Sequence, residues 1–167
     1  MKIMTWTSLK QRAAAAILMA SALALVPGAA WADGTAFLGF SPTPETRATK
    51  GFSLGVSLIV VGFEFEYAST GENLVKGAPG LKTGMINGLV QTPTRMQFYL
   101  TGGGGFFRER LADEGETSFG TNIGGGIKMP LAGPLRLRLD YRVFNLRGGD
   151  TLYPHPQRFY AGLNVAF

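Results

Sequence analysis

Between residues 135 and 143 every second side chain is large and apolar, and every side chain between them is charged. Leu135, Leu137, Leu139, Tyr141 and Val143 alternate with Arg136, Arg138, Asp140 and Arg142. A helical period would mix the two sets around one circumference, whereas a strand sends them to opposite faces. The segment therefore folds as a strand with one greasy face and one ionic face. The same sorting recurs upstream. Phe52, Leu54, Val56 and Leu58 oppose Ser53, Gly55 and Ser57; Phe63, Phe65 and Tyr67 oppose Glu64 and Glu66. Met96, Phe98 and Leu100 oppose Arg95, Gln97, Tyr99 and Thr101, and Phe119, Ile123, Ile127 and Met129 oppose Asn122 and Lys128. In the last segment Phe159, Ala161, Leu163, Val165 and Phe167 oppose Arg158, Tyr160, Gly162, Asn164 and Ala166.

Period two between turn signals predicts eight strands, at about 34–40, 51–59, 62–69, 83–91, 95–106, 118–129, 135–147 and 158–167. The connections between them alternate in length. Residues 41–50, 70–82, 107–117 and 148–157 form long, polar segments rich in turn formers, while 60–61, 92–94 and 130–134 are short. An antiparallel up-and-down barrel with tight turns at one end explains such parity, and a sandwich does not. The expected fold is all-β: an eight-stranded antiparallel up-and-down transmembrane β-barrel with short periplasmic turns and longer extracellular loops.

Alternation alone does not say which face points inward. A soluble barrel turns its apolar side chains inward and its polar ones to water. An Arg or Lys on the lipid side near the bilayer midplane costs about 2–4 kcal/mol, so a membrane barrel must sort its charges strictly. Nine strand charges, from Glu64 to Arg158, share the polar phase. Together with the two chain ends described next, that sorting selects lipid outside and an ionic interior.

At the front, Lys2, Lys10 and Arg12 precede an apolar run over 13–26 broken only by Ser21, and Ala30-Trp31-Ala32 supplies small residues at the spacing of a signal-peptidase site. The run is shorter than the roughly 20 residues a spanning helix needs, and Pro27 and Gly28 follow it. Residues 1–32 are read as a cleaved Sec leader with Ala30 and Ala32 at the cleavage site, and 33–167 as one barrel domain. Without the leader the chain holds thirteen bases and eleven acids, a net charge of +2. A nucleic-acid partner is not expected at that charge. Cysteine is absent, so no disulfide holds the fold together.

The polar face collects the candidate site residues Glu64, Glu66, Arg95, Lys128, Arg136, Arg138, Asp140, Arg142 and Arg158. An eight-stranded barrel is only wide enough for side chains to fill its interior, so these groups are expected to cross-link as a polar plug. Six bases against three acids leave a second reading open, a narrow anion-attracting pore. The glycine runs 102–105 and 124–126 lack the Lys-Ser/Thr ending of a phosphate loop. They are expected instead to make room for neighbouring Arg and Tyr side chains. His155, the one histidine, has no second histidine or cysteine to share a metal, and no cofactor is expected.

Tyr99-Leu-Thr-Gly-Gly-Gly-Gly105, Phe119-Gly-Thr-Asn-Ile-Gly-Gly-Gly126, Leu137-Arg-Leu-Asp-Tyr-Arg142 and the tail to Phe167 resemble the outer-membrane β-barrel domain family. Its members are the small eight-stranded barrels similar to the transmembrane domain of outer membrane protein A and to adhesion-type barrels. The likeness lies mainly in the second half of the chain. It implies a place in the outer membrane of a Gram-negative cell, contact with membrane lipid and lipopolysaccharide, and handling by the barrel-assembly machinery. Tyr160, Gly162, Val165 and Phe167 fall where the family carries its C-terminal assembly signal. Family roles include envelope integrity, cell adhesion and resistance to host defences, and they name no extracellular ligand for this chain. Some family barrels are lipid A deacylases with a His-x-Ser pair; here the residues are His155-Pro-Gln, without the serine. Palmitoyl-transferring barrels use His, Asp and Ser, for which Asp150 and Thr151 are poor substitutes. A non-enzymatic barrel is therefore expected. Because the sequence stops at Phe167, no cell-wall-binding domain is expected after the barrel.

Overall fold

The computed structural model describes residues 30–111, 114–147 and 152–167. They form eight strands: β1 Ala30–Ser41, β2 Arg47–Leu58, β3 Val61–Thr70, β4 Gly80–Gln91, β5 Gln97–Leu111, β6 Glu114–Ala132, β7 Leu135–Arg147 and β8 Gln157–Ala166. Each pairs antiparallel with its sequence neighbours, and β8 returns to β1 to close the barrel. Closure removes both sheet edges, so the strands satisfy one another's backbone donors and acceptors without help from solvent.

Burial resolves the question of facing. Glu66, Arg138 and Arg142 have no exposed surface, while Leu100 is 72% and Leu163 55% exposed. The ionic face is the lumen and the apolar face is the outside. In β3 the two sets alternate residue by residue, Phe63 and Phe65 outward against Glu64 and Glu66 inward.

Near the ends of the strands that lead to the longer connections, the outward face turns aromatic. Phe52 pairs with Tyr67, Tyr67 with Gly84, Gly84 with Phe106 and Phe106 with Phe119, giving one register row across β2–β6. A second row crosses β7, β8 and β1 through Tyr141, Phe159 and Phe40, with ring centroids 4.4 and 5.4 Å apart. Such aromatic girdles mark the interfacial levels of membrane barrels.

Strand boundaries differ from the sequence expectation, and the expected strict alternation of long and short connections is not kept. The turn between β2 and β3 is Ile59-Val60 rather than 60–61, and Ile59 sits at φ 34°. β5 and β6 keep pairing beyond Phe107↔Ser118 as far as Leu111↔Glu114, so most of the expected third loop is ladder. β6 likewise runs through Pro130 to Ala132 by bulging at Leu131, which leaves Gly133-Pro134 as the turn into β7. Between β4 and β5 the connection is 92–96, longer than expected. At the sealing seam, Ala32 and Phe167 exchange backbone hydrogen bonds of 3.0 and 2.8 Å. β1 thus begins at Ala30, upstream of the first residue expected after cleavage.

Candidate functional site

The lumen is packed in layers. At mid-barrel Arg138 of β7 reaches across to β3, where its guanidinium donates to both carboxylate oxygens of Glu64. Its remaining donors meet Asp140 Oδ2 at 3.1 Å, the Tyr99 hydroxyl at 2.7 Å and Ser53 Oγ at 3.3 Å. Arg142 lies four residues on and so faces the same interior. It donates to Glu64 Oε1 at 2.8 Å and Asp140 Oδ1 at 3.0 Å, and lies 3.1 Å from Glu66 Oε2. Arg158 of β8 completes the layer on Glu66 Oε1 at 2.7 Å and Thr83 Oγ1 at 2.9 Å. The Tyr99 and Tyr160 hydroxyls donate to Asp140 and Glu66 respectively. Charge-assisted bonds of this kind are the strong ones, and each guanidinium fork here spans two strands or more.

Three lumen glycines serve as spacers. An added Cβ on Gly126 would meet the Leu139 carbonyl and lie 2.6 Å from the Tyr99 hydroxyl, and one on Gly124 would lie 2.8 Å from Arg142 Cγ. These glycines make the room that the sequence expectation gave them. Gly162 does the same for Phe37, whose ring stacks on Tyr160 at 4.0 Å.

The expected excess of lumen bases is corrected by the structure. Arg95 has the right phase but lies in the turn before β5, exposed, and does not join the network. Arg136 is only partly buried and donates to Gln97 Oε1 at 2.7 Å, at the end of the barrel where β1 begins and β8 ends. An acid joins the set instead: Asp33 is buried and holds Lys128 Nζ at 2.6 Å. The ionic layers then hold Lys128, Arg138, Arg142 and Arg158 against Asp33, Glu64, Glu66 and Asp140, four bases to four acids. Asp33 was legible only as the residue after the expected cleavage site.

Above the ionic layers the lumen becomes apolar. Leu81, Met85, Phe107, Phe144 and Leu146 form a buried cluster, and the Arg158 guanidinium lies 4.5 Å from the Phe144 ring centroid. The sequence signal is a pair of adjacent apolar residues, Phe106-Phe107 and Val143-Phe144, where one member faces out and the other in. Beyond the cluster Arg47 is buried and clasps the longer connections. It donates to the carbonyls of Thr43 at 2.8 Å, Gly71 at 3.2 Å and Pro79. Lys76 pairs with Glu45 between the same two connections. His155 is exposed on the connection before β8, while Asp150 and Thr151 lie outside the described residues.

The geometry defines a class, the small closed eight-stranded barrels with an ion-paired lumen and an apolar exterior. Solved structures agree on the fold. The chain is similar to neisserial surface protein A at 17% identity, covering 83% of this chain and 96% of that one, with a TM-score of 0.62. A major outer membrane protein from Thermus thermophilus matches at 13% identity over 84% of this chain and 100% of its own, TM-score 0.60. The outer membrane enzyme PagL matches at 12% identity over 80% and 98%, TM-score 0.52. No family profile and no curated protein matches the sequence. At these identities the likeness establishes the eight-stranded outer-membrane type of barrel fold and leaves activity to the residues.

Proposed function

We propose that this chain is an integral barrel of the bacterial outer membrane, exported through its N-terminal leader, whose filled lumen neither conducts nor catalyses. Its longer connections face the cell exterior and make its surface contacts. Its outward face meets outer-membrane lipid and lipopolysaccharide, and the barrel-assembly machinery reads the strand that ends in Phe167. The observation that carries this reading is the balanced ionic lumen capped by an apolar cluster. An anion passage needs uncompensated positive charge and a wet path. Here each of the four bases in the ionic layers has a buried acid beside it, and Phe107, Phe144 and Leu146 lie above them.

Planar-bilayer recording tests the first half. The purified protein is expected to give no unitary current steps at either polarity. Discrete anion-selective steps that change in Arg138→Ala would overturn it. Because an outer membrane enzyme shares the fold, the second half needs its own measurement. Lipid A mass spectra are expected to be identical with and without expression of the chain, and any change in acyl composition contradicts the non-enzymatic reading.

A further inference from the structure

At the end of the barrel where β1 begins and β8 ends, a cavity of about 300 Å³ is cut into the mouth of the lumen. Its polar groups are sorted by kind. From the turn before β5 and from β7, Arg95 and Arg136 bring two guanidiniums that have no acidic partner among the described residues. Arg136 gives one donor to Gln97 Oε1 at 2.7 Å, and Arg95 gives none to any described residue.

Two acceptors line the cavity from β1 and β4. Asp33 engages Lys128 through Oδ2 at 2.6 Å, and the Gln91 amide nitrogen points to the Ile59 carbonyl at 3.5 Å. Asp33 Oδ1 and Gln91 Oε1 are left without a donor among the described residues. Both residues are more than nine-tenths buried, at 7% and 6% exposed. Buried acceptors are nearly always paired, so two bare ones lining a cavity call for a donor from outside the chain. Ile59, Pro93 and Ala166 make the rest of the wall apolar. Leader cleavage after Ala32 takes Trp31 out of the lining and leaves every side chain named here in place.

The lining sets two demands on an occupant. Guanidiniums take a carboxylate through paired, charge-assisted N–H bonds. A carboxylate alone leaves both acceptors bare, and an amine alone faces two uncompensated guanidiniums. A molecule with both groups on one carbon meets both demands, and an apolar substituent on that carbon suits Ile59 and Pro93. The geometry points to a binding site for an α-amino acid with an apolar side chain. Its carboxylate lies on Arg95 and Arg136, and its ammonium on Gln91 Oε1 and Asp33 Oδ1. On the outer-membrane reading above, this end of the barrel opens to the periplasm. The site itself rests on the fold alone, so its test does not depend on that reading.

The processed protein, purified in dodecyl maltoside, is titrated calorimetrically with L-leucine, with isocaproate, which lacks only the amine, with isoamylamine, which lacks only the carboxylate, and with inorganic phosphate. Leucine is expected to bind about tenfold or more tighter than each of the others. Arg136→Gln should weaken leucine about thirtyfold, the effect of removing a hydrogen-bonded charge. Gln91→Leu, a change of similar size and shape, should weaken leucine about tenfold and leave isocaproate as it was. A merely structural role for Gln91 would move both ligands alike. Arg147→Gln, outward at the opposite end of β7, should change nothing. Variants are compared once their heat-modifiable gel shift matches wild type. Should Arg136→Gln fail that check, Arg95→Gln in its exposed turn is expected to weaken leucine about fivefold. Isocaproate or phosphate binding as tightly as leucine overturns the proposal in favour of a plain anion site. Absence of leucine binding at millimolar concentration also overturns it, as does unchanged binding in the arginine variant or in Gln91→Leu. Any of these results leaves the outer-membrane reading standing, because that reading is tested by current recording and fractionation.

Discussion

Arg138 is the residue on which most of the lumen converges, since Glu64, Asp140, Tyr99 and Ser53 all take hydrogen bonds from it. Removing one partner of a buried pair leaves the other charge without compensation, and about 3–5 kcal/mol is the usual consequence. Arg138→Ala is therefore expected to lower unfolding stability by that amount in urea titrations of vesicle-inserted protein followed by circular dichroism. Pairing Arg138→Met with Glu64→Gln should recover part of the loss, and a loss below about 1 kcal/mol for the single variant would contradict the network. Glycines give a second contrast. Gly126→Ala forces a Cβ against the Leu139 carbonyl and the Tyr99 hydroxyl, which is itself pinned by Asp140 and Arg138, so overpacking should cost about 1–3 kcal/mol. Gly84 has no atom within 4 Å of an added Cβ, and Gly84→Ala should change stability by less than about 0.5 kcal/mol. Equal effects from both substitutions would contradict the packing assigned to the lumen.

At the scale of elements, the strands were legible wherever lipid and lumen impose opposite demands on neighbouring residues. β7 is the clearest case, because every position from Leu135 to Val143 must choose between hydrocarbon and an ionic interior. Past the hydrocarbon that demand lapses. Arg108 and Arg110 face outward into a polar zone, so the run from Phe107 to Leu111 reads as a loop although its backbone stays paired with β6. Phase also reports a face and not a height, which is why Arg95 counted as a lumen base although it lies in a turn. Asp33 escaped notice because an acid beside a cleavage motif has no strand partner visible in sequence, and its lumen role depends on the β1–β8 seam. One element carries a local cost. Ile59, β-branched and at φ 34°, occupies a left-handed conformation in the tight β2–β3 turn. Ile59→Asn should stabilise the barrel by about 1 kcal/mol in the same urea titration, and destabilisation would show that the Ile59 side chain matters more than its backbone.

For the whole molecule the governing feature is an inversion: charge inside, hydrocarbon-compatible side chains outside, with the backbone closed on itself. That arrangement is stable only in lipid, because water would face Leu100, Ile123 and Leu163 while four ion pairs occupied the place of a core. A chain with no native cysteine permits a direct test of the inversion. A nitroxide attached at Leu139→Cys, in protein reconstituted in bilayers, reports collisions with oxygen, which concentrates in hydrocarbon, and with a water-soluble nickel chelate. Oxygen accessibility well above nickel accessibility at Leu139 is the expected result, and the reverse order, with the label bathed in water, would contradict the barrel's placement in the membrane.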